Sequence, residues 1–124
     1  MQPPLLRRED NALLRGAGRF GQDVALPNAC HIAFVRSPQA HAQVLGIDTE
    51  AAQQMDGVLA VLTSAELGPH TLPTHNPLLP VQQDTAFPLL AQDRVAYVGQ
   101  PVAVVVARSR DVALEAARAV NVSL

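Results

Sequence analysis

The run Val102–Ala107 (VAVVVA) constrains this chain more than any other stretch of it. Four Val and two Ala in succession carry no polar side chain, the pattern of a strand covered on both faces. At this length the run cannot span a bilayer, which takes about 20 apolar residues as a helix. A second run, Val58–Thr63 (VLAVLT), follows directly on the turn residues Asp56-Gly57 and is also expected to be a strand. The 124 residues are enough for one domain with a core of its own. With only three Phe, one Tyr and no Trp, that core is aliphatic.

The rest of the chain supplies further elements. Ser109 is placed to cap a helix over 110–119, where Val112, Ala116 and Val120 recur at helical spacing beside Ala113 and Ala117. Its small Ala residues would let the helix lie close on a sheet. Asp48 is expected to cap a helix over 49–55 that stops at Asp56-Gly57. Residues 30–36 alternate as a strand that places Cys30, Ile32, Phe34 and Arg36 on one side. Residues 42–47, 94–98 and 121–124 are further strand candidates, the last broken off as it begins, and 64–67 resembles a single capped turn. Asn11–Arg15 is read as a short helical turn ended by Gly16, within an irregular N-terminal segment over 1–28. The longest loop, 68–88, holds Pro69, Pro73, Pro77, Pro80 and Pro88, and loops of this length are usually functional or lie at interfaces. The whole predicts one α+β domain over 1–124, a mixed sheet with two main helices.

Charge and cysteine usage narrow the function classes. Nine Arg, with no Lys, oppose eleven acids for a net charge of −2. The Arg are scattered and form no basic stripe for nucleic acid or anionic membrane. Cys30 is the one cysteine, which excludes an internal disulfide and fits a reducing compartment. The residues after Arg7-Arg8 lack the apolar stretch of a secretion signal. A soluble, cytoplasmic protein is expected.

Several segments invite a chemical reading. Gly16-Ala17-Gly18-Arg19-Phe20-Gly21 matches G-x-G-x-x-G. A dinucleotide site needs a strand before those glycines and a helix after them, so that the helix N-terminus faces the pyrophosphate. Here the flanks are polar and helix-like before, and run to Pro27 after, so a turn is expected. Cys30-His31 suggests a thiol–imidazole dyad, but neighbours on a strand point to opposite faces, and a packed Cys is the expected outcome. His31, His41, His70 and His75 lack the i, i+4 helical spacing of a zinc site. Arg36-Ser37-Pro38 and Gly99-Gln100-Pro101 are expected to make turns at strand ends. The Asp residues mostly sit beside turns and helix starts, and no paired carboxylates serve acid–base work. The residues alone supply no catalytic, cofactor-binding or metal-binding residue.

A resemblance adds to this. Arg8-Glu9-Asp10, Gly16-Ala17-Gly18-Arg19-Phe20, Asp23 and Leu26-Pro27 resemble the opening of large subunits in the carbon monoxide dehydrogenase type of molybdenum hydroxylase. Phe34-Val35-Arg36-Ser37-Pro38 with Ala40-His41-Ala42 continues it, as do Ile47-Asp48-Thr49, Ala52, Gly57-Val58, Ala60-Val61 and Thr63. Val95, Tyr97-Val98-Gly99-Gln100-Pro101-Val102-Ala103 and Val105-Val106-Ala107 complete the order. The resemblance implies the α/β-hammerhead domain that begins the catalytic subunits of xanthine dehydrogenase, aldehyde oxidase and carbon monoxide dehydrogenase. These enzymes oxidise their substrates at a molybdenum–pterin centre with water as oxygen source, and pass electrons to iron–sulfur clusters and usually FAD. Their cofactor-binding and catalytic residues lie beyond the hammerhead, so none is carried over to this sequence. The 68–88 loop falls where some relatives contribute to the substrate funnel or contact other domains.

The expected function is therefore a structural domain of a molybdenum-dependent oxidoreductase, inactive alone. Its partners would be the remaining domains of the subunit and the iron–sulfur and FAD subunits or domains. The alternative is a free-standing binding or assembly module of the same fold. A third, an independent small enzyme, would require a pocket joining Cys30 to a histidine other than His31.

Overall fold

The computed structural model of the protein describes residues 7–24, 26–68, 70–72 and 87–124. A short helix α1 (Asp10–Leu14) and a single 3-10 turn (Gly21–Asp23) precede strand β1 (His31–Arg36). Strands β2 (Ala42–Gln43) and β3 (Gly46–Asp48), helix α2 (Glu50–Gln53) and strand β4 (Val58–Thr63) follow. Then come helix α3 (Ser64–Leu67), strands β5 (Thr71–Leu72), β6 (Phe87–Pro88), β7 (Arg94–Val95) and β8 (Pro101–Ala107), helix α4 (Arg110–Ala119) and strand β9 (Asn121–Ser123). The class is α+β, and α4 spans the predicted residues.

β8 is the middle of the three-stranded sheet β1-β8-β4, antiparallel to both neighbours. Ala33 and Val61 both pair with Val105, and Phe34 and Leu62 both pair with Val104. The register shifts between Val58 and Ala60, leaving Leu59 as an extra, exposed residue of β4. The other ladders, β2-β7, β3-β9 and β5-β6, are two-stranded and antiparallel.

One face of the three-stranded sheet carries the main core. Val35, Val61, Ala103 and Val105 pack with Ala52 of α2, and with Ala116 and Val120 at the C-terminal end of α4. Ala33 and Ala107 meet Ala113 beside them. Helix α4 starts where Ser109 Oγ accepts from Val112 N at 3.3 Å, and its ends are charged favourably, with Asp111 in the first turn and Arg118 in the last. Ala113 and Ala116 have no exposed surface, because a helix surfaced with methyl groups can approach the sheet closely. Gly57 turns the chain into β4 with φ +85°, and its carbonyl accepts from Arg108 N at 2.9 Å. An L side chain is strained at that φ.

Several elements differ from the sequence expectation. Residues 42–47 are not one strand: β2 pairs with β7, and β3 pairs with β9. Between them Val44 N donates to Asp93 O and Leu45 N to Ser123 O, so the chain changes partners in two residues. The 94–98 strand shortens to β7, because the next amide, Ala96 N, donates to the Gln100 side chain instead of a ladder. Asp48 acts one residue earlier than a cap: it lies in β3, and its Oδ1 accepts from Glu50 N at 3.1 Å while Thr49 holds the N-cap position. The alternation expected in β1 holds, with Ala33 and Val35 buried on one side and Ile32 and Phe34 exposed on the other. β8 is fully covered on its helix side, whereas on the other side Val102 is buried with Ala91 and Val95 and Val106 is only half-buried.

Candidate functional site

Two of the segments singled out in the sequence, 63 residues apart, come together. Ser37 N donates to Gln100 O at 3.0 Å and Gly99 N to Ser37 O at 2.8 Å, while an Arg36 guanidinium nitrogen donates to Gly99 O at 2.9 Å. Ser37 and Gln100 are buried polar residues, each 3% exposed. The Ser37 hydroxyl accepts from Gln39 N at 3.0 Å and donates to Gln39 O at 2.9 Å, and Gln100 Oε1 accepts from Ala96 N at 2.6 Å. Gly99 supplies the positive φ of the turn, +85°. These side chains replace ladder hydrogen bonds where β1 ends and β8 begins. The turn reading of both segments is what the structure shows.

The glycine-rich segment is likewise a turn. Gly16 follows α1 with φ +68°, and Gly21 opens the 3-10 turn. Among the described residues, neither a strand before nor a long helix after encloses it. At Gly18 an added Cβ would lie 2.7 Å from Leu13 Cδ2, the end of a flexible and exposed side chain that could turn aside. The shallow depression beside it, lined by Leu13, Ala17, Arg19 and Phe20 among others, has no buried polar side chain in its lining.

Cys30 corrects an expectation: it is exposed, not packed. It precedes β1 by one residue, and the chain there has left the ladder. The depression at Cys30 is lined by Asn28, Ala29, Leu59 and Arg108, all exposed, with no histidine among them. Among the described residues, no histidine joins Cys30 there. His31, His41 and His70 are exposed, and His75 lies outside the described residues, as does Asp84. Among the described residues no three His, Cys, Asp or Glu converge to hold a metal ion. Most of the 68–88 loop is also outside them, but its ends are joined: Thr71 pairs with Pro88 and Leu72 with Phe87 in the β5-β6 ladder, and the Phe87 ring stacks on Tyr97 at 5.8 Å.

Among the described residues, the one titratable group with a clear shift is held by hydrogen bonds that cap a helix. Glu66 Oε2 accepts from the Thr63 hydroxyl and from Thr63 N, the latter at 2.7 Å, while Thr63 Oγ1 accepts from Ala65 N at 3.2 Å. This closes a capping box at the start of α3. The hydrogen bonds from Thr63, its side chain first, hold the Glu66 carboxyl below the ordinary glutamate range. The sequence showed the capped turn but not the Glu66 partnership, although Thr63-Ser64-Ala65-Glu66 has the capping-box spacing.

The hydrogen bonds of the Ser37–Gln100 junction and of the Thr63–Glu66 cap run within the chain. Residues 15–124 match the family described as aldehyde oxidase and xanthine dehydrogenase, a/b hammerhead domain. The chain belongs to that family. It is 43% identical to the nicotine 6-hydroxylase large subunit of Paenarthrobacter nicotinovorans, over 95% of this chain and 15% of that protein. It is 40% identical to the carbon monoxide dehydrogenase large chain of Afipia carboxidovorans, over 94% of this chain and 14% of the relative. The crystal structure of quinoline 2-oxidoreductase from Pseudomonas putida 86 superposes with a TM-score of 0.85 at 40% identity, covering 96% of this chain and 15% of that one. The hammerhead domain thus spans about one-seventh of the length of the relatives it matches.

The family's large subunits are molybdenum enzymes, and the described residues do not fit a molybdenum–pterin group by themselves. Such a cofactor needs a deep cleft with converging buried polar groups. The depressions at Cys30 and at His41 and Arg94 are lined by exposed or half-exposed residues. Ser37 and Gln100, the buried polar side chains nearest the surface turns, already bond within the chain.

Proposed function

We propose that this chain is a structural, non-catalytic domain of a molybdopterin-dependent oxidoreductase large subunit of the aldehyde oxidase, xanthine dehydrogenase and carbon monoxide dehydrogenase kind. The observation that carries the reading is the pairing of near-complete coverage of this chain with about 15% coverage of each relative. A domain of that share, with its buried polar groups spent on its own turns, contributes shape and surface. The molybdenum–pterin cofactor would be held by the rest of the parent subunit, and electrons would leave through iron–sulfur and FAD partners. The lone cysteine supports a reducing compartment, the cytoplasm. No described helix is long and apolar enough to cross a membrane.

The test is the native size and metal content of the polypeptide that carries this sequence, by blotting source cells and analysing the purified protein for molybdenum. A band several-fold above 13.2 kDa, co-purifying with molybdenum, is the expected result. A metal-free band at 13.2 kDa would overturn the reading in favour of a free-standing module.

A further inference from the structure

The three-stranded sheet has two apolar faces, and the helices cover one. Alternation along the strands sends Ile32 and Phe34 of β1, Val104 and Val106 of β8, and Ala60 and Leu62 of β4 to the other face. The register lines them up in two cross-strand rows: Phe34, Val104 and Leu62 in one, Ile32, Val106 and Ala60 in the other. All six are apolar. Val104 is 9% exposed because neighbours flank it on both sides, whereas Phe34 is 40% and Ile32 60% exposed. The Arg36 guanidinium stands 5.3 Å from the Phe34 ring centre and also donates to Gly99 O, so a fixed cation marks the rim of the face. Only the Val102 end of this face packs on another described cluster, that of Ala91 and Val95.

We infer that this face is the seat on which the remainder of the large-subunit polypeptide packs, a permanent apolar interface within one chain. The inference rests on the chain being one domain of such a subunit. One observation chooses this occupant over a second copy or a smaller subunit, and another makes the contact permanent. The chain spans only 14% to 15% of the relatives' length, so most of the polypeptide is available as cover. The centre of the face lacks any charged or polar side chain, the character of an obligate interface resembling a domain core cut in half.

Hydroxyl-radical footprinting tests this on the unmodified protein. Oxidation of Phe34 and Ile32 would be followed in the purified large subunit freed of its partner subunits, in the assembled enzyme, and in the urea-unfolded subunit. The expected result is protection of about tenfold or more relative to the unfolded chain, equal in subunit and assembly and independent of concentration, as for a close-packed interior. Protection only in the assembly would assign the face to another subunit, and concentration-dependent protection would assign it to a second copy. Either overturns the inference, as does fast oxidation in every state. Those failures occur in a long, molybdenum-containing polypeptide, which separates them from failure of the functional reading, where the polypeptide itself is short and metal-free.

Discussion

The N-terminal segment from Asp10 to Leu26 and the β8–α4 unit use similar apolar residues and similar local hydrogen bonds, yet only the second has a core. In the first, Leu13, Leu14, Phe20, Val24 and Leu26 are all exposed, Leu14 at 87%, and α1 buries no residue. In the second, Val102, Val105, Ala113 and Ala116 have no exposed surface. Each region has a polar side chain bonding a nearby amide: Asp23 Oδ2 accepts from Phe20 N at 2.8 Å, and Ser109 Oγ from Val112 N. Local bonds of this kind contribute about 1 kcal/mol each. Fully burying a Val or Leu contributes roughly 1.5–3 kcal/mol. The difference is therefore one of neighbours: β8 has a strand on each side and a helix above, and the N-terminal segment has no such cover among the described residues. Its exposed apolar residues fit a domain that meets further protein surface.

The largest effect that would break this comparison is a charge placed in each region. Val105→Asp buries an unpaired carboxylate among Ala33, Val61 and Ala116, at a cost on the order of 5 kcal/mol, enough to abolish the folded domain. Leu14→Asp is expected to leave the thermal midpoint within the scatter of a surface substitution, about 0.5 kcal/mol. Soluble yield and far-UV circular dichroism measure both, and equal damage at the two positions would refute the contrast. Next, Ala116→Leu should lower stability by about 1–3 kcal/mol in a denaturant titration, because the helix cannot back away from the sheet without giving up its other contacts. If Ala116→Leu is neutral, α4 packs more loosely than its Ala face implies.

A smaller effect is expected at the caps. Ser109→Ala removes the acceptor for Val112 N and should cost about 1 kcal/mol, read as a shift of the denaturation midpoint at constant slope. Asp23→Asn in the N-terminal segment should leave that midpoint unmoved, since the 3-10 turn it closes bears no core. The smallest effect is at Glu66. Its folded pKa is lowered, chiefly by the Thr63 hydroxyl, so the stabilisation is full above the unfolded glutamate pKa and disappears as pH falls through the folded one. Thermal scans from neutral pH down through the acid range should show that loss in the natural protein, and Glu66→Gln should remove this component of the pH dependence. An unchanged profile would mean that Glu66, on the surface, is screened by solvent.

Legibility in the sequence tracked how local the cause was. Helix α4 was readable in full, since its cap, its spacing and its Ala face all lie within the residues it occupies. The turn identity of Gly16–Gly21 was readable from the missing strand and helix. The partition of 42–47 into β2 and β3 was not, because the partners that divide it lie near residues 94 and 122. Nor was the inward side of β1. Alternation put Ile32 and Phe34 on one side, but nothing in six residues says which side meets a helix. The close approach of Ala113 and Ala116 selected the smaller Ala33 and Val35 for the interior. Cys30 was misplaced for a related reason, since the average burial of its residue type says nothing about where β1 begins. The junction of Ser37 with Gln100 was visible only as two separate turn signals.

The sequence by itself determined the α+β class, the family, the aliphatic core and the two strong strands, because composition, periodicity and capping residues act within a few positions of one another. Only the tertiary structure decided that β8 lies between β1 and β4, that Arg36-Ser37 closes against Gly99-Gln100, and that Ile32 and Phe34 are exposed on the face away from the helices. Those outcomes depend on which distant segments pair, and a side chain's free energy in the fold is set by the neighbours that pairing brings.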